Sequence, residues 1–251
     1  MGIIVQKFGG SSVADTEKLY NICNHIIREY DNKNQVVVVV SAQGKMTDML
    51  IADEKEITSN PIEREHDVLV SVGEQITIAK LVMCLNERGY NAISYTGWQL
   101  PILTDDVYGN ARIKYIETKK IKEQLDSKRI VVIAGFQGIN ESGDITTLGR
   151  GGSDTTAVAL AASLNADRCD IYTDVDGVYS ADPRVYKDAK KFDTITYDEM
   201  LKLARSGAKV LHDRCVEIGK KFNVPIVVKS SFEENSDGTR IIWLFTKNQV
   251  K

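Results

Sequence analysis

The sequence predicts an α/β fold, a three-layer α/β/α sandwich around a central, mostly parallel sheet. Three observations point there. Strand and helix patterns alternate along nearly the whole chain. Gln35 to Val40 holds five consecutive valines, which reads as a strand buried on both faces and hence as the middle of a parallel sheet. Polar, glycine-bearing loops recur where strands end, the side of an open parallel sheet on which ligands bind.

The chain has 251 residues, 43% of them hydrophobic, enough for one large domain or two small ones with a sizeable core. Its 32 Lys and Arg and 35 Asp and Glu are spread out, for a net charge of −3, so nothing favours nucleic acid or an anionic membrane. A small-molecule partner is expected instead. Cys23, Cys84, Cys169 and Cys215 lie far apart with no Cys-x-x-Cys pair, which argues against a disulfide framework or a zinc site and for reduced, mostly buried thiols. Met1-Gly2-Ile3-Ile4-Val5 runs straight into a strand pattern, and no apolar run approaches the ~18 residues that a membrane span needs. A cytoplasmic protein is expected.

Taken in order, Ile3 to Phe8 reads as a short buried strand ending in Lys7-Phe8-Gly9-Gly10-Ser11-Ser12, before a helix with the apolar face Leu19, Ile22, Ile26, Ile27 and Tyr30. The lysine precedes the glycines, so this is not the Walker spacing. It reads either as a plain turn or as an ammonium and two amides around a phosphoryl group. After the valine strand, Ser41 to Asp48 forms a second polar loop offering hydroxyls at Ser41 and Thr47. Helical stretches follow at about 48–58 and 62–88. In the second, Glu74 interrupts an apolar side, so it either has a cationic partner or faces solvent. Asn91 to Thr96 is a strand. The segment Gly97 to Arg112 has turn residues and little periodicity, with Thr104, Asp105, Asn110 and Arg112 as possible mouth residues.

Ile116 to Leu125 has helical spacing, Arg129 to Ala134 is a buried strand, and a hairpin is expected around Asn140 to Asp144. Then comes Thr146 to Thr156, a polar run with glycines at 149, 151 and 152, directly before the apolar pattern Ala157, Val158, Leu160, Ala161 and Leu164. Glycines allow positive φ and close approach, and Ser153 or Asp154 can cap the helix. Bare N–H groups at a helix start favour an anion, Arg150 adds a planar bidentate donor, and Asp154 supplies a charge to hold a cation or a lysine. The alternative is an ordinary strand-to-helix loop. Arg168 to Thr173 is a strand delivering Thr173 to Arg184, whose acidic spacing misses the EF-hand register. A nucleotide-facing loop fits better, with Tyr179 stacking on a base and Arg184 reaching a phosphate. Helices at about 197–205 and 208–221 and strands at 224–230 and 240–245 complete the pattern. His25, His66 and His212 stand in no catalytic spacing, and no Gly-x-Ser-x-Gly elbow occurs.

The motifs KFGGSSV, VVVVVSAQGKMTD, SVGEQ, YTGWQ, GNARI, AGFQG, TTLGRGGSDTTA, TDVDGVYSADPR, GAKVLH and SSFEENSDGTRI follow one another from about Ile3 to Ile242. Jointly they resemble the amino-acid kinases and, closely, the catalytic region of the aspartokinases. The resemblance implies an amino-acid kinase domain over residues 1–242, its N-terminal part binding the amino acid and its part from about residue 168 binding ATP, with a short tail at 243–251. It implies transfer of the γ-phosphoryl of ATP to the side-chain carboxylate of L-aspartate, the first step toward lysine, threonine and methionine, with Mg²⁺ bound mainly through the ATP phosphates. Lys7 would stabilise the phosphoryl in flight, Gly9, Gly10 and Ser11 would cradle phosphate, and Asp154 would orient the lysines and the metal-bound phosphates. Glu74 would bind the α-ammonium of aspartate and Arg150 its α-carboxylate, with Ser41, Thr47 and Ser153 as further contacts. Thr173, Asp174, Tyr179, Arg184 and Lys209 match ATP-binding positions, Lys209 also being catalytic.

Two departures stand out. Asp213 occupies the place where the family usually has proline, which leaves the next helix start open and puts a negative charge near the nucleotide end. The family normally continues into paired sensing domains, for which the tail after Ile242 is too short, so activity insensitive to lysine and threonine is expected. Trp243 and Phe245 leave room for a homodimer. The competing readings are a sibling kinase acting on glutamate or acetylglutamate and a catalytically idle nucleotide- or amino-acid-binding subunit. The charged Glu74 disfavours an N-acetylated substrate, and intact Lys7, Asp154 and Lys209 disfavour an idle copy.

Overall fold

The valine strand settles the architecture. The computed structural model describes residues 2–183, 185–206, 210–233 and 236–243. In it Val37 and Val39 of β2 (Gln35–Val40) enter one hydrophobic core while Val36, Val38 and Val40 enter another, as a strand with period 2 must when both faces are covered. The first core is roofed by α5 (Lys119–Asp126), α6 (Gly152–Leu164), α7 (Tyr197–Arg205) and α8 (Asp213–Phe222). The second is roofed by α1 (Thr16–Asp31) and α4 (Val72–Glu87). These are the three layers expected.

Between them lies an eight-stranded sheet in the order β10 (Thr194–Thr196), β12 (Thr239–Ile242), β11 (Ile226–Ser230), β9 (Arg168–Thr173), β1 (Ile3–Phe8), β2, β6 (Ile130–Ala134), β3 (Ala92–Tyr95). Neighbours are parallel except β11 and β12. β1 is bordered by β2 on one side and β9 on the other, so its C-terminal end lies at the middle of the ligand-binding edge.

Several elements depart from expectation. Gly97 to Arg112, where no periodicity was visible, contributes β4 (Ile102–Thr104), which with β5 (Ile113–Ile116), β7 (Gln137–Ile139) and β8 (Ile145–Thr147) forms a second, four-stranded sheet. Strands of three or four residues are too short to display alternation. The expected hairpin is the antiparallel β7–β8 pair. Ile116 ends a strand rather than starting a helix. The helix expected over 62–88 is two, α3 (Glu63–Val70) and α4, separated at Ser71. Counted as one, Glu63–Glu87 is apolar and long enough to cross a membrane, contrary to the sequence reading, although half of its most apolar window is buried within the protein. All four cysteines are free and buried. Trp243 packs its ring against Tyr197 at a centroid distance of 5.7 Å, and the rest of the expected tail lies outside the described residues.

Candidate active site

The loops leaving β1, β2 and β6 meet the loop entering α6 around a cleft of about 350 Å³. Lys7, the penultimate residue of β1, projects to the same side as Val5, which is the side α6 covers. Its Nζ lies 2.7 Å from Asp154 Oδ1, with both side chains nearly buried. Gly10 belongs where it is because a Cβ would sit 2.8 Å from the Ala42 carbonyl oxygen, so only glycine lets the first two loops touch.

The glycine-rich run enters α6 differently from the sequence expectation. Gly151, with φ +68°, is the residue before the helix and no side chain caps it, so Ser153 and Asp154 are the second and third helical residues and not caps. The left-handed glycine starts the helix two residues earlier than a Ser153 cap would, so that Ser153 and Asp154 line the cleft from the first turn of the helix.

Glu74, in the first turn of α4, corrects a second expectation. It has neither a cationic partner nor solvent: it is 3% exposed, and its Oε1 accepts the Ala42 N–H at 2.9 Å. Its Oε2 is buried with no partner among the described residues. Burial pushes its carboxyl up to about 7, against the pull of the Ala42 N–H. Oε2 is therefore open to one further hydrogen-bond donor.

Lys7, Gly9, Gly10, Ser41, Thr47, Glu74, Ser153 and Asp154 all line this cleft. Ser11 and Arg150 do not; both are exposed, Ser11 in the 3₁₀ turn Gly10–Val13 and Arg150 at the outer bend of the glycine-rich loop. Thr173, Asp174 and Tyr179 line a second cavity of about 420 Å³, with Pro183, Leu203 and Val210 among its walls. The Tyr179 hydroxyl donates to Asp176 Oδ1 at 2.6 Å, and Asp176 also pairs with Lys191 at 2.9 Å. That bond to a carboxylate pushes the Tyr179 phenol up to about 12. Arg184 and Lys209 lie outside the described residues. The first cavity reaches the β1–β9 border at Gly9, where a Cβ would lie 3.3 Å from Lys7 Nζ and 3.9 Å from the carbonyl oxygen of Tyr172, the residue before Thr173.

Sequence reasoning missed other participants. Phe136 lines the cleft with φ +70°, a conformation unusual for a bulky residue. His66, expected to be a surface or packing residue, hydrogen-bonds Glu54 at 2.5 Å and lines neither cavity. His212 packs against Gly151, where a Cβ would lie 2.5 Å from its own Cβ. Asp213 begins α8, where a carboxylate suits the helix dipole, so the missing proline costs the helix nothing at its start. Phe136 and His212 fall within the AGFQG and GAKVLH motifs, but their roles were not read from them, because both act through contacts between segments far apart in the chain.

The Amino acid kinase family model matches residues 2–230. An aspartokinase of Bacillus sp. (strain MGA3) is 59% identical over 241 residues, covering 96% of this chain and 58% of that protein. Among solved structures, aspartate kinase from Synechocystis superposes with a TM-score of 0.85 at 46% identity, over 96% of this chain and 40% of that one. Aspartokinase III of E. coli in complex with aspartate and ADP superposes at 0.88 with 29% identity, over 98% and 65%. The chain thus spans somewhat over half the length of the curated relative it matches. With the family pattern running through all but the last strand of the large sheet, the chain belongs to the amino acid kinase family.

Proposed function

We propose that the chain transfers the γ-phosphoryl of ATP to the side-chain carboxylate of L-aspartate, giving 4-phospho-L-aspartate and ADP. The observation that carries this reading is Glu74, a buried carboxylate with an unpartnered Oε2 in the same cleft as the Lys7–Asp154 pair. An α-ammonium supplies the donor that Oε2 lacks, and Arg150 at the loop's outer bend takes the α-carboxylate. Both charges of the amino acid are then held, and its side-chain carboxylate faces Lys7, Gly9 and Gly10. Ser41, Thr47 and Ser153 add hydroxyls around the substrate.

The nucleotide occupies the cavity of Thr173, Asp174 and Tyr179, with its phosphates reaching across the β1–β9 border; Arg184 and Lys209 belong to the same site. A carboxylate oxygen attacks the γ-phosphorus in line, the new P–O bond forms as the bond to the bridging oxygen breaks, and ADP leaves with the electron pair. No proton moves, because the attacking carboxylate is already ionised. Lys7 neutralises charge on the phosphoryl oxygens in transit, and Asp154 holds the Lys7 ammonium in place. Mg²⁺ bound to the nucleotide would neutralise phosphate charge, and Asp154, paired with Lys7, is the cleft carboxylate that would hold it. Apart from Lys7, Gly9, Gly10 and Ser11 at the phosphates, residues before about 168 serve the amino acid and those after it the nucleotide.

The test is hydroxylamine trapping with MgATP and L-aspartate, L-glutamate or no acceptor. Aspartyl hydroxamate above the no-enzyme control is expected only with aspartate. Its absence at millimolar aspartate would remove the assignment.

A further inference from the structure

Asp67 is a fully buried carboxylate that lines neither cavity. Both of its oxygens accept the Gly109 N–H at 3.0 Å, Oδ2 accepts the Thr147 N–H at 2.8 Å, and Oδ1 accepts the Thr147 hydroxyl at 2.7 Å. It lies on α3, the helix that leads through Ser71 into α4 and Glu74. Thr147 ends β8, two residues before the glycine-rich loop begins at Gly149. One side chain therefore ties the helix pair that presents Glu74 to the strand that launches the loop bearing Arg150 and leading into the first turn of α6, where Asp154 sits.

A cation grips the same place from the opposite side. Arg214, in the first turn of α8, donates from Nη1 to the carbonyl oxygens of Leu148 at 2.8 Å and Ala111 at 3.2 Å, and from Nη2 to Asn110 Oδ1 at 2.6 Å. Helix α8 belongs to the half of the chain that walls the second cavity. Segment 109–111 also touches the loop directly, for a Cβ on Gly149 would fall 2.9 Å from the Gly109 carbonyl oxygen. Residues 109–111 thus form a wedge against the loop base, clamped by a carboxylate from one half and a guanidinium from the other.

We propose that Asp67 and Arg214 are positioning residues: Asp67 sets the glycine-rich loop at its distance from Glu74, and Arg214 sets the same loop against the nucleotide half. This rests on the aspartate-kinase reading above. Neither group touches a substrate in that reading. A buried carboxylate accepting from three donors and a fork donating to three acceptors hold geometry with little freedom, and displacement of about 1 Å at a reacting centre is enough to change rates by about 10²-fold.

The two arms have different signatures. Asp67→Ala frees the loop base on the amino-acid side and should raise the aspartate KM by about 10-fold, leaving the MgATP KM within about 2-fold. Asp67→Asn can turn its amide oxygen to the Thr147 and Gly109 N–H groups and its NH₂ to the Thr147 hydroxyl, and should recover most of that affinity. Arg214→Ala should lower kcat by about 10-fold or more with a smaller effect on the aspartate KM, and added guanidinium at tens of millimolar should restore part of it.

The experiment measures steady-state kinetics for both substrates, calorimetric affinity for MgADP, and thermal midpoints of the parent chain and the three variants. An aspartate-specific KM rise in Asp67→Ala that Asp67→Asn reverses, with guanidinium rescue of Arg214→Ala, is the expected result. Losses that merely follow the folded fraction, with both KM values and the MgADP affinity unchanged and no rescue, would overturn it. A parent chain that makes no aspartyl hydroxamate sinks the activity reading instead. In that case the positioning claim stands or falls on MgADP affinity, which Arg214→Ala should weaken and Asp67→Ala should not.

Discussion

Lys7 and Asp154 meet across the cleft at 2.7 Å, joining the end of the central strand β1 to the first turn of α6 with both side chains largely removed from water. A buried pair of this kind contributes modestly to stability when intact and costs about 3–5 kcal/mol when one partner is removed, because the other charge is left stranded. Its place at the edge where the cleft loops converge is better explained by charge delivered to a ligand. Lys7→Ala is expected to lower kcat by about 10²-fold or more with little change in the aspartate KM, since the ammonium is needed most while the phosphoryl is in transit. A coupled assay of ADP release checks it. A variant whose aspartate KM rises while kcat holds would place Lys7 in ground-state binding instead.

Tyr179 offers a ring to the second cavity while its hydroxyl is spent on Asp176. If the ring stacks on the base, Tyr179→Phe should leave the ATP KM within about 2-fold, whereas Tyr179→Ala should raise it about 10-fold, the order of one base–aromatic stack. Equal effects from the two substitutions would point to the hydroxyl network with Asp176 and Lys191 as the contributor.

Much of this was legible in the sequence, for a physical reason. Five valines in a row admit few placements, and glycine-rich loops at strand ends announce close backbone approach, so the sheet centre and the cleft's lysine, glycines and hydroxyls could be named from the chain alone. What could not be read depends on where distant segments land. Glu74 looked solvated or paired because an apolar helical face does not reveal that the Ala42 N–H will meet it. Asp67, Arg214 and His212 act through backbone groups of other loops, which carry no side-chain signature. The second sheet was missed because its strands are three or four residues long. The helix cap was misplaced because serine and aspartate outrank glycine in general, while here a left-handed Gly151 sets the start.

Gly151 leads to a prediction about the loop. An alanine there would bear the strain of φ +68°, about 1–2 kcal/mol, and would also drive its Cβ to within 2.5 Å of the His212 Cβ. Gly151→Ala should therefore lower both the thermal midpoint and kcat. Adding His212→Gly should relieve the clash and leave the strain, recovering only part of each. Full recovery in the double variant would show that backbone conformation at this position is unimportant, and no recovery would show that the His212 contact is.

The last prediction uses the acid–base state of Glu74. Its carboxyl stands at about 7, raised from the ordinary 4.5 by burial, so near neutral pH a large fraction is protonated in the absence of ligand. Only the ionised form attracts an ammonium. The aspartate KM should therefore fall as pH rises from about 6, by up to about 10-fold per unit at the acid end, and level off above about 7.5. Glu74→Gln has nothing to titrate there: its KM should be higher throughout and flat over the same range. Stability runs the other way. Because the folded protein holds this proton more tightly than the unfolded chain, the contribution is fully present below pH 4.5 and is lost as pH rises through about 7. The parent chain should lose stability relative to Glu74→Gln across that window, and saturating aspartate should restore more of it at pH 8 than at pH 5. Urea titrations of both chains at pH 5, 6.5 and 8, with and without aspartate, read all of this. A stability difference that does not change with pH would mean that Glu74 keeps an ordinary carboxyl, and an aspartate KM with the same pH profile in both chains would take Glu74 out of the ammonium site.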